Sequence, residues 1–302
     1  MQVKANGIHL EVEDSGGNGP AVLLIMGLGM QLIGWPAGLV DELAQAGYRV
    51  VRFDNRDAGL SQSFASFPQP NMMWTFLRYR LGMKIPTAYS LGDMAQDALG
   101  VLDALGIAQA HVVGASMGGM IAQRVAIAGP TRALSLTSIM SSSGARRLPG
   151  PRRKVARAMM QRPTKGDTLA AINQAVKFFQ LIGSTRLADP VEELRVQMTA
   201  ALTRAYNPAG TQRQMLAIAA DAGRATELAR ISCPTLVIHG RDDPLVPLPC
   251  GEDTARRIPG AQLAVIDGMG HDLARGVVAQ VMPLMLSHFE RSSAARTQAE
   301  AA

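Results

Sequence analysis

Six short apolar runs punctuate the chain: AVLLIMG (21–27), YRVVRFD (48–54), AHVVGAS (110–116), LSLTSIM (134–140), PTLVIHG (234–240) and QLAVIDG (262–268). They are continuous rather than alternating, which suits strands buried on both faces, as in a parallel sheet covered by helices. The opening MQVKANGIHLEVED differs, because it alternates around Asn6-Gly7. That dipeptide accepts the positive φ angles of a tight hairpin turn and predicts an antiparallel pair at one sheet edge.

Helical spacing fills the gaps between the runs. In SLGDMAQDALGVLDALG (90–106), the apolar positions Leu91, Met94, Ala95, Ala98, Leu99, Leu102 and Leu105 fall on one helix face. Ser90 and Asp93 form a capping pair at its start, and Gly106 is a stop. Strand and helix in alternation predict an α/β fold, a doubly wound and mostly parallel sheet. The alternation lapses from about 142 to 230, where TLAAINQAVKFFQLI (168–182) and VEELRVQMTAALTRAY (191–206) follow one another with no strand between. The expected organisation is a core of 1–141 and 231–290, a helical cap insertion of 142–230 over the sheet's C-terminal edge, and a flexible tail of 291–302. The connection 64–89 gathers Met72, Met73, Trp74, Phe76, Tyr79 and Met83. It lines an entrance for a bulky apolar molecule or packs as an ordinary long connection.

Composition changes this picture little. A chain of 302 residues, 47% hydrophobic, can bury one large core. Its longest apolar runs fall short of the roughly 20 residues of a bilayer span, and no secretory pattern opens it, so a cytoplasmic protein with no membrane span is expected, as monomer or homodimer. Cys233 and Cys250 have no partner spacing and read as buried thiols, with neither disulfide nor metal site. The net charge of +6 is concentrated in 144–165, where Arg146, Arg147, Arg152, Arg153, Lys154, Arg157, Arg162 and Lys165 occur without an acid. A basic run broken by Pro and Gly reads as a solvated face, and with no nucleic-acid motif beside it no nucleic-acid partner is expected.

The chemistry gathers around HVVGASMGGM (111–120), where Gly114 and Gly118 flank Ser116 at a strand-to-helix switch. A G-x-S-x-G turn this sharp strains the serine backbone and crowds the residues on either side of it, and glycine removes the offending Cβ. Thirty glycines make such a pattern cheap by chance, so its partners must carry the argument. Serine needs a base to take its proton, and in this arrangement the order along the chain is serine, acid, histidine. Of the five histidines, His9 and His111 precede Ser116, His239 leaves only cap acids before it, and His288 reads as an exposed polar position on a closing helix. His271 remains, on the glycine-rich loop of VIDGMGHDLA. The acid belongs to the loop LVIHGRDDPLVP, as Asp242 or Asp243. Oxyanion donors would be the backbone N–H of Met117, at a helix N-terminus, and of Leu28 in the MGLGMQ loop (26–31).

With these residues in place the sequence resembles the α/β-hydrolase superfamily over nearly its whole length apart from the insertion and tail. The carriers are MGLG, FDNRDAGLSQ (53–62), GASMGG, HGRDDPLVP and GMGH. The resemblance selects Asp243, directly before proline, over Asp242. Among branches, MGLGMQLIGWP with FDNRDAG is most similar to the group containing aclacinomycin methylesterase, which implies carboxylic ester hydrolysis without metal or cofactor. Asp57 stands where the wider family has glycine, a feature that group shares, while 64–89 is longer than in that enzyme. A small-molecule ester is the expected substrate. Cleavage of C–C bonds or amides, or perhydrolysis, uses the same triad, and a non-catalytic ligand-binding member of the fold is the reading from another class.

Overall fold

The computed structural model describes residues 1–67, 74, 75, 77, 78, 81–161 and 167–301, with side chains through 294. Met72, Met73, Phe76, Tyr79, Arg162 and Lys165 lie outside the described residues, so the 64–89 connection and the basic run are seen only in part. Trp74 and Met83 are exposed, as are the arginines and lysine from Arg146 to Arg157.

Eight strands form one sheet: β1 (Gln2–Ala5), β2 (Ile8–Asp14), β3 (Ala21–Ile25), β4 (Arg49–Phe53), β5 (Ala110–Ala115), β6 (Ala133–Ile139), β7 (Thr235–Gly240) and β8 (Gln262–Ile266). Their spatial order is β1-β2-β4-β3-β5-β6-β7-β8. The hairpin β1/β2 pairs antiparallel through Asn6-Gly7, both at positive φ, and β2 also meets β4 antiparallel; the other pairs are parallel. The unbroken apolar runs have a direct cause, visible on β3. Leu23 and Ile25 enter a cluster with Leu102, Val112 and Ile121, whereas Val22 and Leu24 enter another with Leu39, Val113 and Phe289. Both faces of the strand are core, and each such side chain contributes about 1.5–3 kcal/mol by leaving water.

Helices cover both faces. Helices α2 (Leu91–Ala104) and α3 (Met117–Ala128) lie on one, and α1 (Ala37–Gln45) and α9 (Arg275–Ala301) on the other. The Ser90–Asp93 capping box is formed in full, and Gly106 ends the turn after α2 at φ +66°. Helix α9 continues through 291–301, where the sequence suggests a tail. One expectation fails there. His288 is not exposed but buried on α9 beside the backbone of Leu136 and Pro234, and burial pushes its pKa down to about 4. His111 on β5 shares that pocket, stacked on Phe289 at 4.4 Å between centroids. Both thiols are buried, and burial raises the pKa of each to about 11.

Between β6 and β7 run α4 (Arg153–Met159), α5 (Thr168–Ile182), α6 (Val191–Arg204) and α7 (Pro208–Ala220), with no strand among the described residues of that interval. Asp167 and Asn207 cap α5 and α7 through their side chains, and Pro208 opens α7 where a missing N–H costs nothing. Ile172, Val176 and Met198 form a small core of these helices, joined by Met30 from the loop after β3. Helix α8 (Pro249–Arg257) precedes β8. No helix among the described residues is long and apolar enough to cross a membrane.

Candidate active site

Ser116 links the end of β5 to the start of α3 at φ +56° and ψ −120°, a backbone conformation that costs a non-glycine residue about 1–3 kcal/mol. The glycines pack tightly, and in two different ways. A Cβ on Gly114 would come within 2.1 Å of the Gly118 carbonyl oxygen, so that glycine lets the two arms of the turn meet. A Cβ on Gly118 would instead strike the Ile25 carbonyl oxygen of β3 at 1.9 Å. The second flank therefore serves the neighbouring strand, which the sequence pattern does not reveal. The elbow is also pinned from just after β6, where the Ser141 hydroxyl donates to the Ser116 carbonyl at 2.7 Å.

Three of the expected residues converge. Ser116 Oγ lies 2.9 Å from His271 Nε2, and His271 Nδ1 lies 2.7 Å from Asp243 Oδ2. A carboxylate only accepts, so Nδ1 carries the hydrogen and Nε2 is left to accept the serine proton. Asp243 is 2% exposed, and its Oδ1 accepts from the amides of Leu245 and Val246 at 2.9 and 2.8 Å. Asp242 is exposed and takes no part. His239 is buried beside this carboxylate, but its Nε2 bonds the Val246 carbonyl at 2.7 Å, and burial, the largest influence, lowers its pKa.

The two residues expected to supply amides both lie close to Ser116 in the chain or in space. Met117 is buried as the first residue of α3, and Leu28 follows Gly27, whose backbone approaches Ser116 so closely that a Cβ there would lie 3.6 Å from Oγ. Neither N–H has an acceptor among the described residues. The turn holding Leu28 closes with the Met30 amide donating to the Gly27 carbonyl at 3.2 Å, and Gly29 takes φ +67°.

What the sequence does not reveal is how the cap helices hold the loops of the site. From α6, Arg204 bonds both Gln31 and Asp54 at 2.7 Å. From α7, Arg213 grips both oxygens of Asp57 at 2.7 and 2.6 Å, and Gln214 bridges the Gly29 amide and the Arg56 carbonyl, each at 2.8 Å. The FDNRDAG loop is thus the seat of the cap. Burial opposes ionisation of Asp57, but Arg213, the Phe64 amide and Tyr89 outweigh it and hold the carboxyl below its usual range. Beyond α5, Ser184 donates to Asp272 Oδ1 at 2.5 Å and accepts from the Gly270 amide at 2.9 Å, and the His271 amide donates to the Ile182 carbonyl at 2.7 Å. Arg213, Gln214 and Ser184 carry no local signal in the sequence.

Residues 20–274 match the alpha/beta hydrolase fold family, from β3 to β8 with the elbow and the histidine loop. The chain belongs to the α/β hydrolases. Rhodomycin D methylesterase DauP of Streptomyces sp. (strain C5) is 31% identical over 293 residues, 88% of this chain and 90% of that one. A 2-hydroxy-6-oxononadienedioate/2-hydroxy-6-oxononatrienedioate hydrolase of Pseudomonas sp is 28% identical over 264 residues, 87% of this chain and 85% of that one. Among solved structures, 2-hydroxy-6-oxo-6-phenylhexa-2,4-dienoate hydrolase from Rhodococcus sp. strain RHA1 aligns at a TM-score of 0.73 with 21% identity, covering 96% and 99% of the two chains. At that identity the likeness concerns the fold alone. This α/β hydrolase therefore has sequence relatives named for more than one kind of hydrolysis.

Proposed function

We propose that the protein is a serine hydrolase that cleaves a carboxylic ester through an acyl-enzyme. The observation that carries the reading is the unbroken hydrogen-bonded chain from Ser116 through His271 to Asp243, mounted on a strained elbow. His271 Nε2 takes the proton of Ser116 as Oγ attacks the ester carbonyl. The tetrahedral oxyanion is held by the Leu28 and Met117 amides, each worth about 10²- to 10³-fold in turnover. Asp243 keeps the imidazole in the required tautomer and stabilises its protonated form. His271 then returns the proton to the departing alkoxide, the alcohol leaves, and the acyl group stays on Ser116. A water molecule, deprotonated by His271, attacks the acyl carbonyl, and collapse releases the acid and restores the serine. The resemblance to a methylesterase makes a methyl ester of a small or apolar acid the first substrate to try. The dienedioate hydrolase relative favours one second reading, C–C bond hydrolysis on the same triad.

The test is fluorophosphonate labelling together with turnover of p-nitrophenyl esters and aryl methyl esters. Wild type is expected to label and turn over, and Ser116→Ala to do neither. Asp243→Asn should lose about 10⁴-fold in kcat, and Asp242→Asn should stay near wild type. Absent labelling of wild type would identify a non-catalytic binding protein, while the reverse result for the two aspartates would move the acid.

A further inference from the structure

An oxyanion donor must sit about 2.7–3.1 Å from a charge that exists only in the transition state, so its loop must be held to within about half an ångström. The turn that carries Leu28 is poorly suited to hold itself. Leu28 lies between Gly27 and Gly29, and glycine leaves the flanking dihedrals free. The turn's internal bond, Met30 amide to Gly27 carbonyl, is long at 3.2 Å. A turn closed this way accepts two orientations of its central peptide, here the one joining Leu28 to Gly29, and the positive φ of Gly29 belongs to one of them.

The hold comes from the cap. Gln214 on α7 is fully buried, its Oε1 accepts from the Gly29 amide at 2.8 Å, and its Nε2 donates to the Arg56 carbonyl at 2.8 Å. Neither bond serves α7 itself; both reach loops of the core, one after β3 and one after β4. The amide side chain has one acceptor and one donor end, and each end is used, so it works as a strut of fixed length. Thr211, one turn earlier on α7, packs where a Cβ on Gly29 would be, 2.7 Å from its Oγ1, which leaves the loop no room to slide toward the helix. Asn55 ties the upstream side by donating to the Met26 carbonyl at 2.9 Å. Gln214 alone, among the described side chains, bonds to the Leu28–Gly29 peptide, the next one along from the Gly27–Leu28 peptide that carries the Leu28 N–H.

We propose that Gln214 is a positioning residue for the oxyanion site: by fixing the Leu28–Gly29 peptide it holds the turn in one form, and so keeps the neighbouring Gly27–Leu28 peptide, which carries the Leu28 N–H, aimed at the tetrahedral intermediate before substrate arrives. The proposal rests on the esterase reading. It makes the insertion part of the catalytic geometry as well as a cover over it. It also separates Gln214 from its neighbour Arg213, which secures the Asp57 loop and touches no group of the turn.

The experiment compares wild type, Gln214→Leu, which removes both bonds at similar volume, and Gln214→Glu, which keeps an acceptor for the Gly29 amide. The readouts are kcat and KM for p-nitrophenyl acetate and the affinity of a trifluoromethyl ketone, whose adduct with a serine carries an oxyanion. Because the donor is displaced rather than deleted, Gln214→Leu is expected to lose about 10- to 100-fold in kcat, less than full removal of a donor. Ketone affinity should fall by a similar factor, with KM within about threefold of wild type. Gln214→Glu should recover most of the loss. If Gln214→Leu does not fold, Gln214→Asn, one methylene too short to reach Gly29, carries the same expectation. An active wild type beside a Gln214→Leu enzyme with unchanged kcat and ketone affinity overturns this inference alone, as does a change confined to KM or a Glu variant as slow as the Leu variant. A wild type that neither hydrolyses the ester nor binds the ketone overturns the esterase reading beneath it.

Discussion

The elbow and the proposed oxyanion turn flank the proposed reaction, and both bend the chain at positive φ, +56° at Ser116 and +67° at Gly29. They are held in opposite ways. The elbow is braced chiefly by backbone, with Gly114 against the Gly118 carbonyl, Gly118 against β3 and the start of α3 below, and the Ser141 hydroxyl adds a bond to the Ser116 carbonyl. The turn is braced by side chains from far along the chain, with Gln214 185 residues from Gly29 and Arg204 150 residues from Asp54. The proposed nucleophile is therefore built into the sheet, while its proposed oxyanion partner depends on how the insertion is seated.

The sharpest way to break this comparison is to add one methyl group on each side. Gly118→Ala puts a Cβ 1.9 Å from the Ile25 carbonyl oxygen, and strand backbone cannot yield. A displacement of about 1 Å at a reacting group costs on the order of 10²-fold, so Gly118→Ala is expected to lose at least that much labelling rate and turnover. Gly29→Ala meets the Thr211 side chain and adds strain at positive φ, a milder insult. It should lose less, and Thr211→Ala should recover part of the loss because the remaining contact, with Cβ at 3.4 Å, is an ordinary one. Equal losses in the two glycine variants, or no recovery, would show that the turn is as rigid as the elbow.

These unlike supports also explain what could be read from the sequence. The sheet, the hairpin at Asn6-Gly7 and the capping box at Ser90 are local, and strand burial on two faces writes itself as an unbroken apolar run. The hydrogen-bonded set Ser116, His271 and Asp243 was legible because each member follows a strand and the order along the chain leaves few candidates. Gln214 was not, since nothing in MLAIAA or its surroundings marks a glutamine whose partners lie in two distant loops. His288 misled for a related reason: a histidine on the closing helix reads as solvated, and only the packing of α9 against β6 and β7 buries it. The basic run and Asp57 show the two fates of charge. The described members of the run lie exposed, whereas Asp57, in the loop that resembles the family's, is buried under Arg213.

That pair gives the next effect in size. Removing one partner of a buried ion pair leaves the other charge unpaired and costs about 3–5 kcal/mol. Arg213→Met should therefore lower the chemical-denaturation midpoint strongly, and Asp57→Leu with Arg213→Met should be less damaging than Arg213→Met alone. The pH dependence has a definite sign. The Asp57 pKa is lower folded than unfolded, so its contribution is present above the unfolded carboxylate value, about 3.9, and is lost as pH falls through the folded value. In Asp57→Asn that share of the acid-side slope should disappear, and a slope unchanged below about pH 4 would assign the acid loss to other groups.

The smallest expected effect lies at the third loop of the site, where the two modes of support meet. His271 is held by backbone, through its amide to the Ile182 carbonyl at 2.7 Å, and by the close approach of Gly270 to Gly183, where a Cβ would lie 2.4 Å from the carbonyl. It is also held by a side chain, since Ser184 ties the Gly270 amide to Asp272. Ser184→Ala removes the second support and keeps the first. It strands one amide and one carboxylate oxygen at a cost of about 1–3 kcal/mol, but the Asp243–His271 bond does not pass through it. The expected outcome is a clear fall in stability with kcat reduced no more than about tenfold, against the 10- to 100-fold expected of Gln214→Leu. If Ser184→Ala instead matched Gln214→Leu in kcat, the histidine loop would belong with the oxyanion turn, and the elbow would stand alone as the part of the site held by backbone.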